Sequence, residues 1–172
     1  MKIFETDRLI IKTLEQKDKE FFIELISDPE IINPIPQPKF SAEEIMDKFN
    51  ESLSLSGEIA DNNRSVWGIF EKGNPDMIGL CLFLTNNEND RELGYRFRVN
   101  YWGQGYGTET TKGIINFSFD QLKIDKITAD VNTKNRNSVK ILEKFMNPVR
   151  EFFNEKDNCI DRRYEIYKKD WL

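Results

Sequence analysis

The sequence contains no histidine and two cysteines, and these shortages narrow the chemistry open to it. Without imidazole, any proton transfer has to use carboxylate, hydroxyl, phenol, amine or water. Cys81 lies in the apolar run MIGLCLFL and Cys159 lies in a polar segment. A disulfide framework is therefore not expected, and Cys81 is interpreted as a buried thiol. No spacing of potential ligands fits a zinc site, so we expect no metal.

The chain also lacks an excess of basic residues and a long apolar run. Its net charge is −5 over 172 residues, which disfavours a broad nucleic-acid interface because phosphate neutralisation needs a basic surface. No apolar run approaches the length that spans a bilayer, and the N-terminal stretch lacks the apolar region of a signal peptide. We therefore expect a single cytoplasmic domain over residues 1–172, with no nucleic-acid or membrane partner.

Hydrophobic periodicity predicts a mixed α+β chain. The predicted strands cover residues 8–14, 65–72, 77–85, 92–99 and 126–131, with two more around a polar turn near the C-terminus. The predicted helices cover residues 17–28, 41–55, 107–122 and 135–145. Ser41 and Glu44 form a capping box at the start of the second helix. Four prolines within residues 29–38 predict a stiff, extended connection.

The segment YWGQGYGTE, residues 101–109, places three of the nine glycines within five positions. It follows a predicted strand and begins a predicted helix. The first N–H groups of a helix have no partner within it and lie at the positive end of its dipole. Glycines there allow an anion to approach the main chain closely, and a phosphate is the natural occupant.

Other interpretations of this loop fit less well or remain open. A Walker loop requires Lys and then Ser or Thr after its last glycine, but Gly107 is followed by Thr108 and Glu109. A dinucleotide-binding fingerprint requires glycine at position 108, and the remaining chain is too short for the second half of that fold. A helix entry with turn glycines and no ligand is the structural alternative.

The loop resembles the coenzyme A loop of the GNAT N-acetyltransferase superfamily, in its Q/R-x-x-G-x-G/A form, with Trp102 at the first position. NRNSVKILEKF resembles the N-x-x-S-x-x-x-L-E-K helix of the branch that acetylates ribosomal-protein N-termini. RLIIKTL and RYEIYKKDW resemble the first and last strands of that branch. These segments together span almost the whole chain. One departure is LEKFMNPV, which lacks the glycine that usually follows Leu-Glu-Lys.

The resemblance implies a mixed, mostly antiparallel sheet of about seven strands flanked by about four helices. It implies an enzyme that transfers acetyl from acetyl-CoA to a primary amine by direct attack in a ternary complex. A protein or peptide N-terminus is the acceptor that this branch suggests. A polyamine, an aminoglycoside or another small amine, and a non-catalytic acyl-CoA-binding module, are the alternatives. A monomer and a homodimer both remain open.

The resemblance also implies cofactor-binding residues. The strand at 92–99 would diverge from the strand at 126–131, and pantetheine would lie in the gap along Phe97, Arg98 and Val99. The pyrophosphate would be held by main-chain N–H groups of Gln104, Gly105, Tyr106, Gly107 and Thr108. Asn135 and Ser138 would contact the cofactor, although Asn135 also fits a helix N-cap.

Three side chains are candidates for proton transfer. Many superfamily members carry a tyrosine where this chain has Leu142, and the resembled branch offers a serine, here Ser138, as the proton donor to the thiolate. Glu92 and Glu151 are candidate general bases, and an ordinary surface glutamate is the alternative interpretation of each. A backbone N–H near Val99 is expected to stabilise the oxyanion. The missing glycine after Leu-Glu-Lys leaves the register of Glu151 open.

Overall fold

The computed structural model describes residues 1–35, 37–56 and 63–171. Its strands form one eight-stranded sheet in the order β1-β2-β3-β4-β5-β6-β8-β7. The strands are β1 (Lys2–Glu5), β2 (Leu9–Lys12), β3 (Arg64–Glu71), β4 (Met77–Thr85), β5 (Arg91–Phe97), β6 (Lys126–Asn132), β7 (Asn147–Asn154) and β8 (Cys159–Tyr167). The helices are α1 (Lys19–Ser27), α2 (Pro29–Ile32), α3 (Ala42–Ser54), α4 (Tyr106–Asp120) and α5 (Arg136–Phe145).

The predicted mixed, mostly antiparallel sheet is confirmed. Every pair of neighbouring strands is antiparallel except β5 and β6. The sheet has one strand more than the seven expected, because the N-terminal stretch turns at residues 6–8 and forms a hairpin of β1 and β2. The helices in the described part of the chain do not combine the length and apolar character that a membrane crossing requires.

The proline-rich segment 29–38 differs from its prediction. An extended conformation was expected throughout, but its first residues form the short helix α2. Pro29 occupies the first turn, where its missing N–H is not needed. The Asp28 carboxylate caps this turn by accepting a hydrogen bond from the Glu30 N–H at 2.9 Å. Pro36 lies outside the described residues.

Two apolar cores lie on opposite faces of the sheet, because successive side chains of a strand point to opposite sides. Val66 and Phe70 of β3 pack with α1, α2 and α3 on one face. Trp67 and Ile69 of the same strand pack with α4 and α5 on the other face. The predicted capping box is present at α3, where Ser41 Oγ accepts from the Glu44 N–H at 3.2 Å.

The strands β5 and β6 are neighbours along only a short length. Arg91 pairs with Ile127 and Glu92 pairs with Thr128, and the register of the described residues ends there. Beyond this point β5 continues along β4, whereas β6 continues along β8. The divergence opens the expected gap in the middle of the sheet.

Candidate active site

A cavity of about 460 Å³ lies at the gap between β5 and β6. Its walls on one face of the sheet come from α1, the proline-rich segment, α3 and the hairpin of β7 and β8. On the other face they come from the first turns of α5, with Asn135, Ser138 and Leu142. Residues from both faces therefore line one continuous space. Two substrates can reach the same point from opposite sides of the sheet.

Glu92 lies where the two strands diverge, and its side chain lines this cavity. Burial raises the pKa of Glu92 to about 7, and the nearby charge of Asp130 acts in the same direction. A hydrogen bond from Asn86 and the charge of Arg163 oppose the increase. A carboxyl group with a pKa close to neutral pH is well matched to accept a proton from an attacking amine.

Asp130 holds the guanidinium of Arg163 through two hydrogen bonds of 2.7 and 2.8 Å. The side chain of Arg163 also forms an ion pair with Glu88 at 2.7 Å. This buried cation balances part of the negative charge around Glu92. The arrangement fixes the electrostatic surroundings of Glu92 on the face of the sheet that carries α1 and α3.

The glycine loop is open at its main chain. Gly103 and Gly105 have φ of +73° and +81°, in the left-handed region that favours glycine. The N–H groups of residues 103–108 donate to no acceptor within residues 1–35, 37–56 and 63–171. The first hydrogen bond of α4 runs from the Glu109 N–H to the Gly105 carbonyl at 3.1 Å. The unpaired N–H groups form a site suited to an anion.

Gly107 is needed for helix packing. Its φ is not positive, unlike those of the two preceding glycines. A Cβ atom at this position would lie 2.8 Å from Ile141 Cδ1 and 3.3 Å from the ring of Tyr95. The missing side chain lets α4 approach α5 and β5 closely, while the Gly107 N–H stays available to a ligand.

Residues near the N-terminus brace the loop from outside. The Glu109 carboxylate accepts hydrogen bonds from Thr6 Oγ1 at 2.6 Å and from the main-chain and side-chain nitrogens of Arg8, each at 2.7 Å. Burial alone would raise the pKa of Glu109, but these hydrogen bonds outweigh it and hold the pKa below its usual range. Arg8 Nη1 also donates to the Gln104 carbonyl at 2.9 Å, and the guanidinium lies 4.4 Å from the centre of the Tyr106 ring.

Two cations beside the loop were missed from sequence. Arg8 contacts the loop from the hairpin of β1 and β2, and Lys144 Nζ lies 3.4 Å from Thr108 Oγ1. Both are far from the loop in sequence, and both occur in quoted motifs, RLIIKTL and the Leu-Glu-Lys of α5. No other pattern in the sequence indicates that they meet there. The charge of Arg8 is balanced by Glu109, so Lys144 supplies the added positive charge beside these unpaired N–H groups.

The end of β5 differs from the prediction. The strand was expected to reach Val99, but it ends at Phe97, and Val99 begins the 3₁₀ turn Val99–Tyr101. The Phe97 carbonyl accepts a hydrogen bond from Trp102 Nε1 at 2.9 Å. The Arg98 N–H donates to the Ile78 carbonyl of β4 at 2.9 Å. Because these groups alternate along a strand, the Phe97 N–H points toward the gap.

Arg98 itself is directed away from the loop. Its guanidinium forms an ion pair with Glu24 of α1 and lies 4.5 Å from the centre of the Phe21 ring. These contacts are on the face of the sheet opposite to α4. Of the three residues expected along pantetheine, Phe97 has its N–H toward the gap, and the side chain of Arg98 contacts α1.

The start of α5 brings Asn135 and Ser138 to the cavity. Asn135 is the predicted N-cap, since its Oδ1 accepts from the Ser138 N–H at 3.3 Å. Tyr95, which was not singled out from sequence, lies beneath this turn, and its hydroxyl is sealed from solvent without a standard hydrogen bond to any described residue. Burial raises the pKa of Tyr95, against the opposing effect of the Thr111 and Ser138 hydroxyls. Ser138 and Glu92 thus line the same cavity from opposite faces.

Glu151 lies elsewhere. It is an exposed residue of β7 and forms an ion pair with Arg162 of β8 at 2.7 Å. It is not among the residues that line the cavity. This position gives no support to Glu151 as a base, and the structure does not bring it together with Glu92.

The remaining expectations about ligand chemistry concern cysteine and metals. Cys81 is buried and free, and Cys159 is free and partly buried in the cavity wall. Burial raises the pKa of the Cys81 thiol, which keeps it protonated. Within the described ranges no three His, Cys, Asp or Glu side chains are grouped as a metal site.

Comparisons with known proteins give the family. The family model described as "Acetyltransferase (GNAT) domain" matches residues 8–145. A Bacillus licheniformis protein, "Uncharacterized N-acetyltransferase p20", is 28% identical over 97% of this chain and 94% of its own length.

Two solved structures share the fold. Spermidine N-acetyltransferase from Vibrio cholerae, in complex with CoA and spermine, has a TM-score of 0.78 at 18% identity, covering 96% of this chain and 98% of that one. RimL, a ribosomal alpha-N-protein acetyltransferase in complex with coenzyme A, has a TM-score of 0.77 at 13% identity, covering 97% and 98%. With the family match over most of its length, this chain belongs to the GNAT family and is an acetyl-CoA-dependent N-acetyltransferase.

Proposed function

We propose that this enzyme acetylates a protein or peptide N-terminus by direct attack of the amine on acetyl-CoA in a ternary complex. The observation that carries the proposal is the cavity at the β5–β6 gap, which reaches both faces of the sheet and has Glu92 at the junction. Such a cavity allows the cofactor and the acceptor to be bound at the same time, as a ternary complex requires.

The cofactor enters from the face that carries α4 and α5. Its pyrophosphate binds the free N–H groups of residues 103–108, with Arg8 and Lys144 beside them. Each charge-assisted hydrogen bond contributes about 1.5–3 kcal/mol, so several of them anchor the nucleotide. The pantetheine arm lies in the gap, where the Phe97 N–H and the Asn135 side chain are available to its amides.

Glu92 takes the proton from the acceptor amine on the opposite face. Its pKa of about 7 keeps it ionised above neutral pH while leaving it basic enough to act. The leaving group is a thiolate whose conjugate acid has a pKa of about 8.5, so a modest proton donor suffices. Ser138 fills that role from the first turn of α5, next to the buried hydroxyl of Tyr95.

The choice of acceptor rests on two kinds of support. The motifs of α5 and of the first and last strands resemble the branch that acts on protein N-termini. A polycation such as spermidine fits less well, because the partly buried cation Arg96 lines the acceptor side of the cavity. The acceptor side also has an apolar wall formed by Phe22, Ile26 and Ile35, which suits a peptide backbone and its first side chain.

A thiol-release assay with acetyl-CoA tests the proposal against its alternatives. The acceptors are N-terminal peptides, spermidine and an aminoglycoside at equal concentration. We expect turnover with peptides. Turnover with spermidine or the aminoglycoside but not with peptides would show that the acceptor is a small amine. Tight cofactor binding without turnover would indicate a non-catalytic acyl-CoA-binding module.

A matched pair of glycine variants tests the cofactor loop. Gly103 and Gly73 both have positive φ, and a Cβ atom at either position meets nothing within 4 Å. Gly103→Asp and Gly73→Asp therefore carry similar backbone strain of about 1 kcal/mol. We expect Gly103→Asp to raise the Kd for coenzyme A more than about 100-fold through repulsion of the pyrophosphate. Gly73→Asp serves as the control with unchanged Kd, and equal binding by both variants would show that the loop is not the cofactor site.

A further inference from the structure

Arg96 is a cation in the wall of the acceptor side of the cavity. It lies on the same face of β5 as Glu92, and its Nη1 donates to the Leu25 carbonyl at 3.0 Å and to Gln37 Oε1 at 2.8 Å. Both partners are neutral. Burial lowers the pKa of Arg96 to about 10, which still leaves the guanidinium charged at neutral pH.

The rest of the guanidinium has no protein partner among residues 1–35, 37–56 and 63–171. Its Nε and Nη2 donate to no acceptor there, and neither is sealed from the cavity. No carboxylate in these ranges lies within ion-pair distance of it. Asp157, on the turn between β7 and β8, acts on Arg96 through its charge but not through contact. A partly buried cation with free donors and no direct counter-ion among the described residues favours an anionic ligand.

The space between Arg96 and Glu92 is open. Gly94 lies between them on the same face of β5, and a Cβ atom there would contact Leu82 at 3.7 Å and 3.8 Å and nothing nearer. The bare main chain at Gly94 therefore forms a floor with a carboxyl group at one end and a guanidinium at the other. This floor can hold a ligand that has an amine and an anionic group.

We infer that the acceptor is a peptide N-terminus with an acidic side chain at its second residue, held by Arg96 while the amine reaches Glu92. This rests on the proposed function. The Cα atoms of residues 92 and 96 are about 13 Å apart along a strand at about 3.3 Å per residue, and side chains on one face of a strand extend roughly in parallel. A hydrogen bond of about 3 Å at each end leaves roughly 7 Å between the amine and the anion. A free α-amino acid is too short to span this distance.

Three peptides that differ at the second residue test the inference. Their sequences begin Ala-Glu, Ala-Gln and Ala-Lys and are otherwise identical, and kcat/KM is measured for each. We expect the wild type to prefer the Glu peptide to the Gln peptide by about 10- to 100-fold, the range for one charge-assisted hydrogen bond. Arg96→Gln brings this ratio close to 1, and Arg96→Glu reverses the preference toward the Lys peptide.

Arg64→Gln is the matched control. Arg64 also lines the cavity but is exposed, and its loss is expected to leave the ratio unchanged. A purely structural role of Arg96 in holding Leu25 and Gln37 would lower kcat/KM equally for all three peptides. That result, or a loss of preference in Arg64→Gln but not in Arg96→Gln, would overturn the inference.

A second measurement separates this inference from the proposed function. Calorimetry with the N-acetylated product peptides and coenzyme A detects the Arg96 contact without turnover. Tighter binding of the Glu product, lost in Arg96→Gln, supports the inference even if peptides turn over too slowly to assay. Equal binding of the Glu and Gln products would refute it even if peptides are good acceptors.

Discussion

Glu92→Gln removes a carboxyl group that binds its proton more tightly in the folded protein than in the unfolded chain. The pKa of Glu92 is about 7 in the fold against an ordinary 4.5, mainly because the group is buried. At about 1.4 kcal/mol for each pH unit, the difference corresponds to about 3 kcal/mol. The stabilisation linked to this proton is complete below pH 4.5 and is lost as pH rises to about 7. At higher pH the wild type carries a buried charge that the glutamine variant does not.

Urea unfolding at pH 5 and pH 8.5 measures this difference. At pH 8.5 we expect Glu92→Gln to have a higher free energy of unfolding than the wild type by up to about 3 kcal/mol. In thermal unfolding, that gain corresponds to a rise in Tm of about 6–12 °C for a domain of this size. The gain shrinks toward zero at pH 5. An equal difference between variant and wild type at both pH values would refute the reasoning from burial.

The same substitution affects catalysis in the opposite direction. In the wild type kcat/KM is expected to rise with pH through an apparent pKa of about 7, as Glu92 loses its proton. Glu92→Gln lowers kcat by about 10²–10⁴-fold and removes this inflection. A variant that is more stable at alkaline pH and nearly inactive would identify Glu92 as the base. A stable and fully active variant would assign proton transfer to another group.

Two further substitutions examine the surroundings of the site. Gly107→Ala places a Cβ atom 2.8 Å from Ile141 Cδ1. We expect it to lower the free energy of unfolding, measured in urea, by about 1–3 kcal/mol, and we expect Ile141→Val, which removes that atom, to restore part of the loss. If Ile141→Val restores nothing, the strain does not come from this contact. Asp130→Asn removes a negative charge that helps to raise the pKa of Glu92 and leaves Arg163 without its bidentate partner. The inflection of kcat/KM with pH is expected at lower pH than in the wild type, and the free energy of unfolding is expected to fall by about 3 kcal/mol. An inflection at the same pH as in the wild type would contradict the role of Asp130 in raising the pKa of Glu92.

Local sequence patterns were sufficient for most elements of the fold. The apolar run at 77–85 is β4 without adjustment, and the Ser41 capping box begins α3. The prediction for the proline-rich segment was wrong because the fixed φ of proline fits the first turn of a helix as well as it fits an extended chain. The predicted end of β5 was also wrong, because the alternation of apolar residues does not indicate the hydrogen bonds that close the Val99–Tyr101 turn.

The candidate site was predicted where its signal is contiguous in sequence. The glycine loop and the N-cap Asn135 are local motifs, and each lies at the start of a helix as the sequence predicted. The sequence could not distinguish Glu92 from Glu151 as a base. Tertiary packing places Glu92 at the β5–β6 gap and leaves Glu151 exposed on β7. Tyr95 and Arg96 could not be singled out for the same reason. Their importance lies in which of their polar atoms lack partners among the described residues.

The contacts of Glu109 with Thr6 and Arg8 link the proposed binding of coenzyme A to the order in which the protein folds. These contacts join residues that are 103 and 101 positions apart in the chain. Closing so long a loop costs conformational entropy before the contacts it brings together can stabilise the chain. A nascent chain emerging from the ribosome presents residues 6–8 long before residue 109, so the glycine loop stays unsupported until α4 has been synthesised. If this loop binds the pyrophosphate as proposed, coenzyme A stabilises only chains that have already closed this contact.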